Sequence, residues 1–190
     1  AGTSDDLFSL HAQLVDDETG LVLGIGVLGP GLGGWPQTCA VLRGDAAYVP
    51  AATSVPPPQR LPATERRRAG TIIKVSIVAG DDALSMSGCD ASNVATVFSA
   101  SEGDGRNRHE ICEALASSDR LISPTRFTNS VHNAPAGYWH IATHGMAAST
   151  SLCAYDASFP MGLLEAALQV RQHGEPVMLV AADAPYPEPL

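Results

Sequence analysis

Phe159, Leu163, Ala167 and Val170 recur at three-to-four-residue spacing, and the segment they define leads directly into an unbroken apolar run, Val177 to Ala182. That spacing puts apolar side chains along one face of a helix. Pro160 suits its first turn and Gly174 its stop, and the apolar run that follows reads as a strand. Leu21 to Val27, bounded by glycines, reads as a buried strand, and Val94 to Ser99 as another, closed off by Gly103 and Gly105. His109 to Ser117 carries Ile111 and Leu115 at helical spacing. Strands alternating with helices in this way specify an α/β layer arrangement with crossover connections.

Two segments are read differently. Asp45 to Pro62 contains Pro50 and the run Pro56 to Pro58, which leaves no regular element and implies a surface loop. Thr71 to Ala79 is ambiguous, because the β-branched Ile72, Ile73, Val75, Ile77 and Val78 favour a strand on propensity.

With 190 residues the chain is one domain in size, long enough to bury roughly 70% of its unfolded surface. No apolar run approaches the ~20 residues that span a bilayer. The start, AGTSDDLFSL, is acidic where a signal peptide is basic, so a cytoplasmic protein is expected. A formal net charge of −9 opposes binding to nucleic acid or to anionic membranes. The 4 cysteines form no CxxC pair and are expected as free, small core residues rather than a disulfide framework. Arg60 with Arg66, Arg67 and Arg68 makes a basic cluster in this acidic chain, either a solvated helix start paired with Glu65 or a docking patch for an acidic partner.

Two motifs have alternative readings. Gly24, Gly26 and Gly29 fit GxGxxG after a strand, yet Pro30, Gly31, Gly33 and Gly34 follow where a dinucleotide site needs a helix, so a tight glycine loop around Trp35 is expected and no cofactor. His140 and His144 stand four apart but lack a glutamate or third ligand, and Gly145 is expected to end their helix, so no metal site is expected.

The stretch SPTRFTNSVHNAPAGYWHIATHGMAASTSLCAYDASF, Ser123 to Phe159, resembles the nucleophile region of β-ketoacyl synthases. The match runs without a gap through Ser123-Pro124, Asn133, Ala136-Gly137, Ile141, Ser149 and Ser151. LVLGIGVLGPGLGGW, LPATERRRAG, VATVFSASEGDG and PVMLVAADAPYPEPL are similar to further elements of the same N-terminal half, so the resemblance spans Leu21 to Leu190 and leaves residues 1-20 as an N-terminal extension. Within the family it is nearest to the short ketosynthase-like proteins of aryl-polyene-type clusters. It implies a thiolase-like half with a mixed sheet flanked by helices, and a helix over Thr71 to Ala79.

On this register the catalytic cysteine position holds Asp156. Family chemistry needs a thiolate that stores an acyl group as a thioester, whereas a carboxylate forms only a mixed anhydride that water destroys. Asp156 is also a favoured N-cap for the helix that follows. Cys153, three residues earlier, is the alternative nucleophile if the register shifts. The two catalytic histidines of the family lie in its second half, and His132, His140 and His144 match neither.

By the same resemblance, Phe127, His132, Asn133, Tyr138 and Trp139 are candidates for a subunit interface or acyl tunnel, Tyr138 and Trp139 being equally suited to the chain's own core. Arg66, Arg67 and Arg68 are candidates for docking an acyl carrier protein. The implied function is a catalytically silent, chain-length-factor-like subunit that pairs with a complete β-ketoacyl synthase or with itself in fatty acid, polyketide or aryl polyene synthesis. The alternative is an acyltransferase or ketosynthase-type enzyme using Cys153 on carrier-protein thioesters.

Overall fold

The computed structural model describes residues 10–15, 22–185 and 187. Their strands form one 5-stranded sheet in the order β2-β1-β5-β3-β4. These are β1 (Leu10–Val15), β2 (Val22–Leu28), β3 (Ala95–Ser99), β4 (Ser149–Leu152) and β5 (Val177–Ala181). β1 pairs antiparallel with both β2 and β5, while β3 runs parallel to β5 and β4, so the sheet is mixed. The segment expected as an N-terminal extension therefore supplies an inner strand of the sheet, since Leu10–Val15 sits between β2 and β5.

Helices cover both faces. The alternation of strand side chains sends Phe98, Met178 and Val180 into a core with Ile73, Ile77, Ala83 and Trp139. Their neighbours Val97, Val177 and Leu179 go into a second core with Ala166 and Val170. α3 (Thr71–Ser87) and α6 (Ala134–Thr143) belong to the first core, and α7 (Ser158–His173) to the second. α1 (Trp35–Arg43), α2 (Ala63–Arg68), α4 (Gly105–Ala116) and α5 (Pro124–Asn129) complete the element order. The loop from Asp45 to Pro62 carries no regular element, as its prolines require.

α3 settles the ambiguity over Thr71 to Ala79 in favour of a helix. Its β-branched residues forgo a few tenths of a kcal/mol each of helix propensity. Burial offsets this, because Ile72, Ile73, Val75 and Ile77 are all enclosed between the sheet and α6. Gly88 closes the helix in the left-handed conformation at φ 70°.

The glycines of the GxGxxG pattern form no loop around Trp35. Gly24 and Gly26 lie within β2, where an added Cβ would stand 2.0 Å from Ala83 O and 1.9 Å from Ala79 O. They allow α3 to lie directly on the strand, and no helix opens at Gly29, which bridges to Leu32. His144, rather than Gly145, ends α6 by taking the left-handed cap at φ 54°. It thereby leaves the helix face of His140, whose Nδ1 pairs with Gly145 O at 2.8 Å. All four cysteines are free, but Cys112 and Cys153 are exposed rather than packed in the core. Among the described residues no helix is long and apolar enough to cross a membrane.

Candidate functional site

The parallel strands β3, β4 and β5 end on the same side of the sheet, the edge where open α/β sheets place their ligands. After β4 the chain passes Cys153 and Ala154, makes one 3-10 turn at Tyr155–Ala157 and enters α7 at Ser158. Tyr155 occupies the left-handed region at φ 54°, which non-glycine residues seldom adopt.

Serines hold that turn. The buried Ser158 Oγ accepts from Ala154 N at 3.0 Å and donates to Tyr155 O at 2.6 Å. Ser101 Oγ, on the loop after β3, donates to Tyr155 O at 2.9 Å, and Ser99 Oγ donates to Ser158 O at 2.5 Å. Gly162 brings α7 close enough for these bonds, because a Cβ there would stand 2.8 Å from both Ser99 Cβ and Leu179 Cδ1.

The loop after β3 is held in turn by Asp183, just beyond β5. Its carboxylate accepts from Ser101 N at 2.8 and 3.0 Å, from Glu102 N at 3.1 Å and from Gly103 N at 3.4 Å. Sequence reasoning missed Asp183, Ser101 and Ser158. The one available signal was an acid placed directly after the apolar run Val177 to Ala182. Because charge-assisted bonds are about twice as strong as neutral ones, Asp183→Ala is expected to cost roughly 2–3 kcal/mol. Hydrogen exchange at the Ser101, Glu102 and Gly103 amides should speed up more than tenfold while β1 and β2 keep their protection.

Cys153 is exposed and lies before the 3-10 turn, not at the first residues of α7. Its Sγ donates to Ser101 O at 2.9 Å. Asp156 is exposed within the turn and does not cap α7: the N-cap is Ala157, with no side-chain hydrogen bond. The turn, closed by Ala157 N on Ala154 O at 3.0 Å, separates Asp156 from the helix's free N–H groups. Among the described residues no histidine is hydrogen-bonded to Cys153 or to Asp156.

The interface candidates separate into two groups. Phe127, at 64% exposure, lies on α5, and the exposed His132 and Asn133 lie on the connection from α5 into α6. Tyr138 and Trp139 are core residues and are removed from the surface. Trp139 is packed on Gly80, and the Tyr138 hydroxyl donates to Asn129 Oδ1 at 3.2 Å. Burial pushes the Tyr138 phenol above its usual range.

The arginines of α2 adjoin the α5 side of this surface, since Asn129 Nδ2 donates to Arg68 O at 2.8 Å. Arg67 and Arg68 are exposed, Arg68 pairs with Glu65 at 3.4 Å, and Arg66 donates to Gln59 Oε1 at 3.3 Å. Arg60 turns away to Asp81. Burial raises the Asp81 carboxyl, although Arg60 works against it.

Residues 40–190 match the family model described as beta-ketoacyl synthase, N-terminal domain. Among solved structures the chain is similar to the ketosynthase (ApeO) in complex with its chain length factor (ApeC) from Xenorhabdus doucetiae. That likeness has a TM-score of 0.70 and 22% identity over 96% of this chain and 70% of that one. It is also similar to a beta-ketoacyl synthase from Burkholderia phymatum STM815, with a TM-score of 0.63 and 14% identity over 86% of this chain and 44% of that one. A search of curated proteins found no significant match.

Proposed function

Since this chain belongs to the beta-ketoacyl synthase N-terminal domain family, with the thiolase-like fold, we propose that it is a catalytically silent, chain-length-factor-like subunit that pairs with a complete ketosynthase. One observation carries the reading. The turn where the resemblance puts the family nucleophile presents Asp156 to solvent, while the nearby Cys153 lies before the turn with its Sγ on a backbone carbonyl. A thioester has no place to form at Asp156, and the partner supplies the chemistry.

The surface supports pairing. From Thr128 to Leu164 the only residue with a full charge is Asp156, in a chain whose formal net charge is −9. Phe127, Val131, Ile141 and Met146 are exposed on or beside this stretch. An uncharged apolar surface on an acidic body is the composition of an interface core. Phe127, His132 and Asn133 would meet the partner there. Arg66, Arg67 and Arg68, close by on α2, would receive the acidic carrier protein.

Co-expression with a complete ketosynthase from the same gene neighbourhood, followed by size-exclusion chromatography, tests the pairing. The two chains are expected to elute as one complex. Phe127→Asp, at an exposed position, is expected to weaken it at least tenfold. Separate elution of the two wild-type chains contradicts the proposal.

A further inference from the structure

Beneath the loop after β3 lies a cavity of about 100 Å³, which shares only Val131 and His132 at its margin with the surface proposed for pairing. It opens at the C-terminal ends of β3 and β5 and runs inward between α3 and the connection from α5 to α6. Its inner wall is apolar, from Ile72, Phe98 and Val180. The half-exposed Glu102, Arg108 and Val131 line its opening.

Ser76, on α3, also lines it. This side chain is fully buried, and its Oγ has no hydrogen-bond partner. An orphaned buried hydroxyl costs roughly 1–3 kcal/mol, so a hydrogen-bonding group in the cavity would relieve it. Asn129 and Ser130, other polar lining groups, already have partners: Asn129 with Arg68 and Tyr138, Ser130 with Phe127 O at 2.8 Å.

The opening limits the charge of a guest. Arg108 is held by Glu102 through its carbonyl at 2.7 Å and its carboxylate at 3.1 Å, and Asp104 stands beside them. Among the described lining residues no other lysine or arginine remains for an anion. The volume is several times the ~10–15 Å³ that one water needs.

We propose that this cavity is a binding site for a small uncharged molecule with an aliphatic body and one hydrogen-bonding oxygen, of the class of short alcohols and ketones, held by Ser76 Oγ. The site has a route to the turn described above. Its roof is the Ala100 to Gly103 loop, whose Ser101 carries bonds to both Cys153 and Tyr155. A guest that stiffens the roof therefore restrains the turn as well.

Amide NMR titration of the isolated protein with 1-butanol, 2-butanone and butyrate tests this. The two neutral probes are expected to give saturable shifts in the millimolar range at Ile72 to Ser76, Phe98 to Gly103 and Asn129 to His132. Butyrate is expected to give none. Ser76→Ala should weaken binding about 2- to 10-fold, the effect of one hydrogen bond. Ser76→Leu should abolish binding by filling the space, and Val131→Trp, at the exposed rim, should do so without altering the core. Non-saturable shifts with the wild type mean the cavity holds water only and overturn the proposal. It is equally overturned by unchanged binding in Val131→Trp, or by butyrate binding as tightly as the neutral probes.

Discussion

Gly26→Ala will leave this protein largely unfolded. The added Cβ would stand 1.9 Å from Ala79 O and 2.8 Å from Ala79 C. Both obstacles are main-chain atoms of α3, so no side chain can rotate away. β2 and α3 have to separate, opening the core around Ile77 and Ala83, which are fully buried. Overpacking of flexible cores costs about 1–3 kcal/mol, and a backbone collision belongs above that range. Against a total stability of roughly 5–15 kcal/mol, a loss of ~4 kcal/mol or more abolishes cooperative thermal unfolding for many such domains. Circular dichroism melting will show it. Gly162→Ala, which meets side-chain atoms of Ser99 and Leu179 at 2.8 Å, should cost visibly less. Equal melting of Gly26→Ala and wild type would mean that α3 does not lie on β2 as described.

Trp139→Ala is the second large effect. Trp139 is 1% exposed and fills the space over Gly80, where a Cβ would be only 2.7 Å from its ring. Truncation of a buried aromatic costs ~3–5 kcal/mol in lost burial plus the cavity left behind. The loss falls between α3 and α6, so chemical denaturation should show a lower midpoint with a similar slope. The exposed Phe127→Ala should change stability by less than ~0.5 kcal/mol. That contrast separates core aromatics from those free to meet a partner.

These two residues also show what could be read from the chain alone. The helix α7, its Gly174 stop and the strand β5 were legible from neighbours in sequence, but the face of α7 that packs was not: Ser158, Gly162, Ala166 and Val170 are buried, while Phe159 and Ala167 of the apolar stripe are exposed. α3 was not, since its β-branched run argues locally for a strand and only enclosure between sheet and α6 reverses this. β1, LHAQLV, has no continuous apolar run, and its place is set by long-range pairing with β2 and β5. The glycines of β2 were legible as a motif but not as a contact, because Ala79 and Ala83 lie far along the chain. At the site, the resemblance drew attention to the Cys153 to Ser158 turn. The bonds that shape it come from Ser99 and Ser101, whose loop Asp183 holds in turn, and only the fold brings these residues near. An aspartate before a helix suggested a cap, and the intervening 3-10 turn is what removes Asp156 from that role.

Intact-mass measurement after incubation with acyl thioesters of a carrier protein tests the claim of catalytic silence most directly. The account predicts no mass increase, for the wild type and for Cys153→Ala alike, since a carboxylate such as Asp156 forms with an acyl group only an anhydride that water destroys. A covalent acyl adduct on the wild type that disappears in Cys153→Ala would contradict it and establish the chain as an acyl-transferring enzyme.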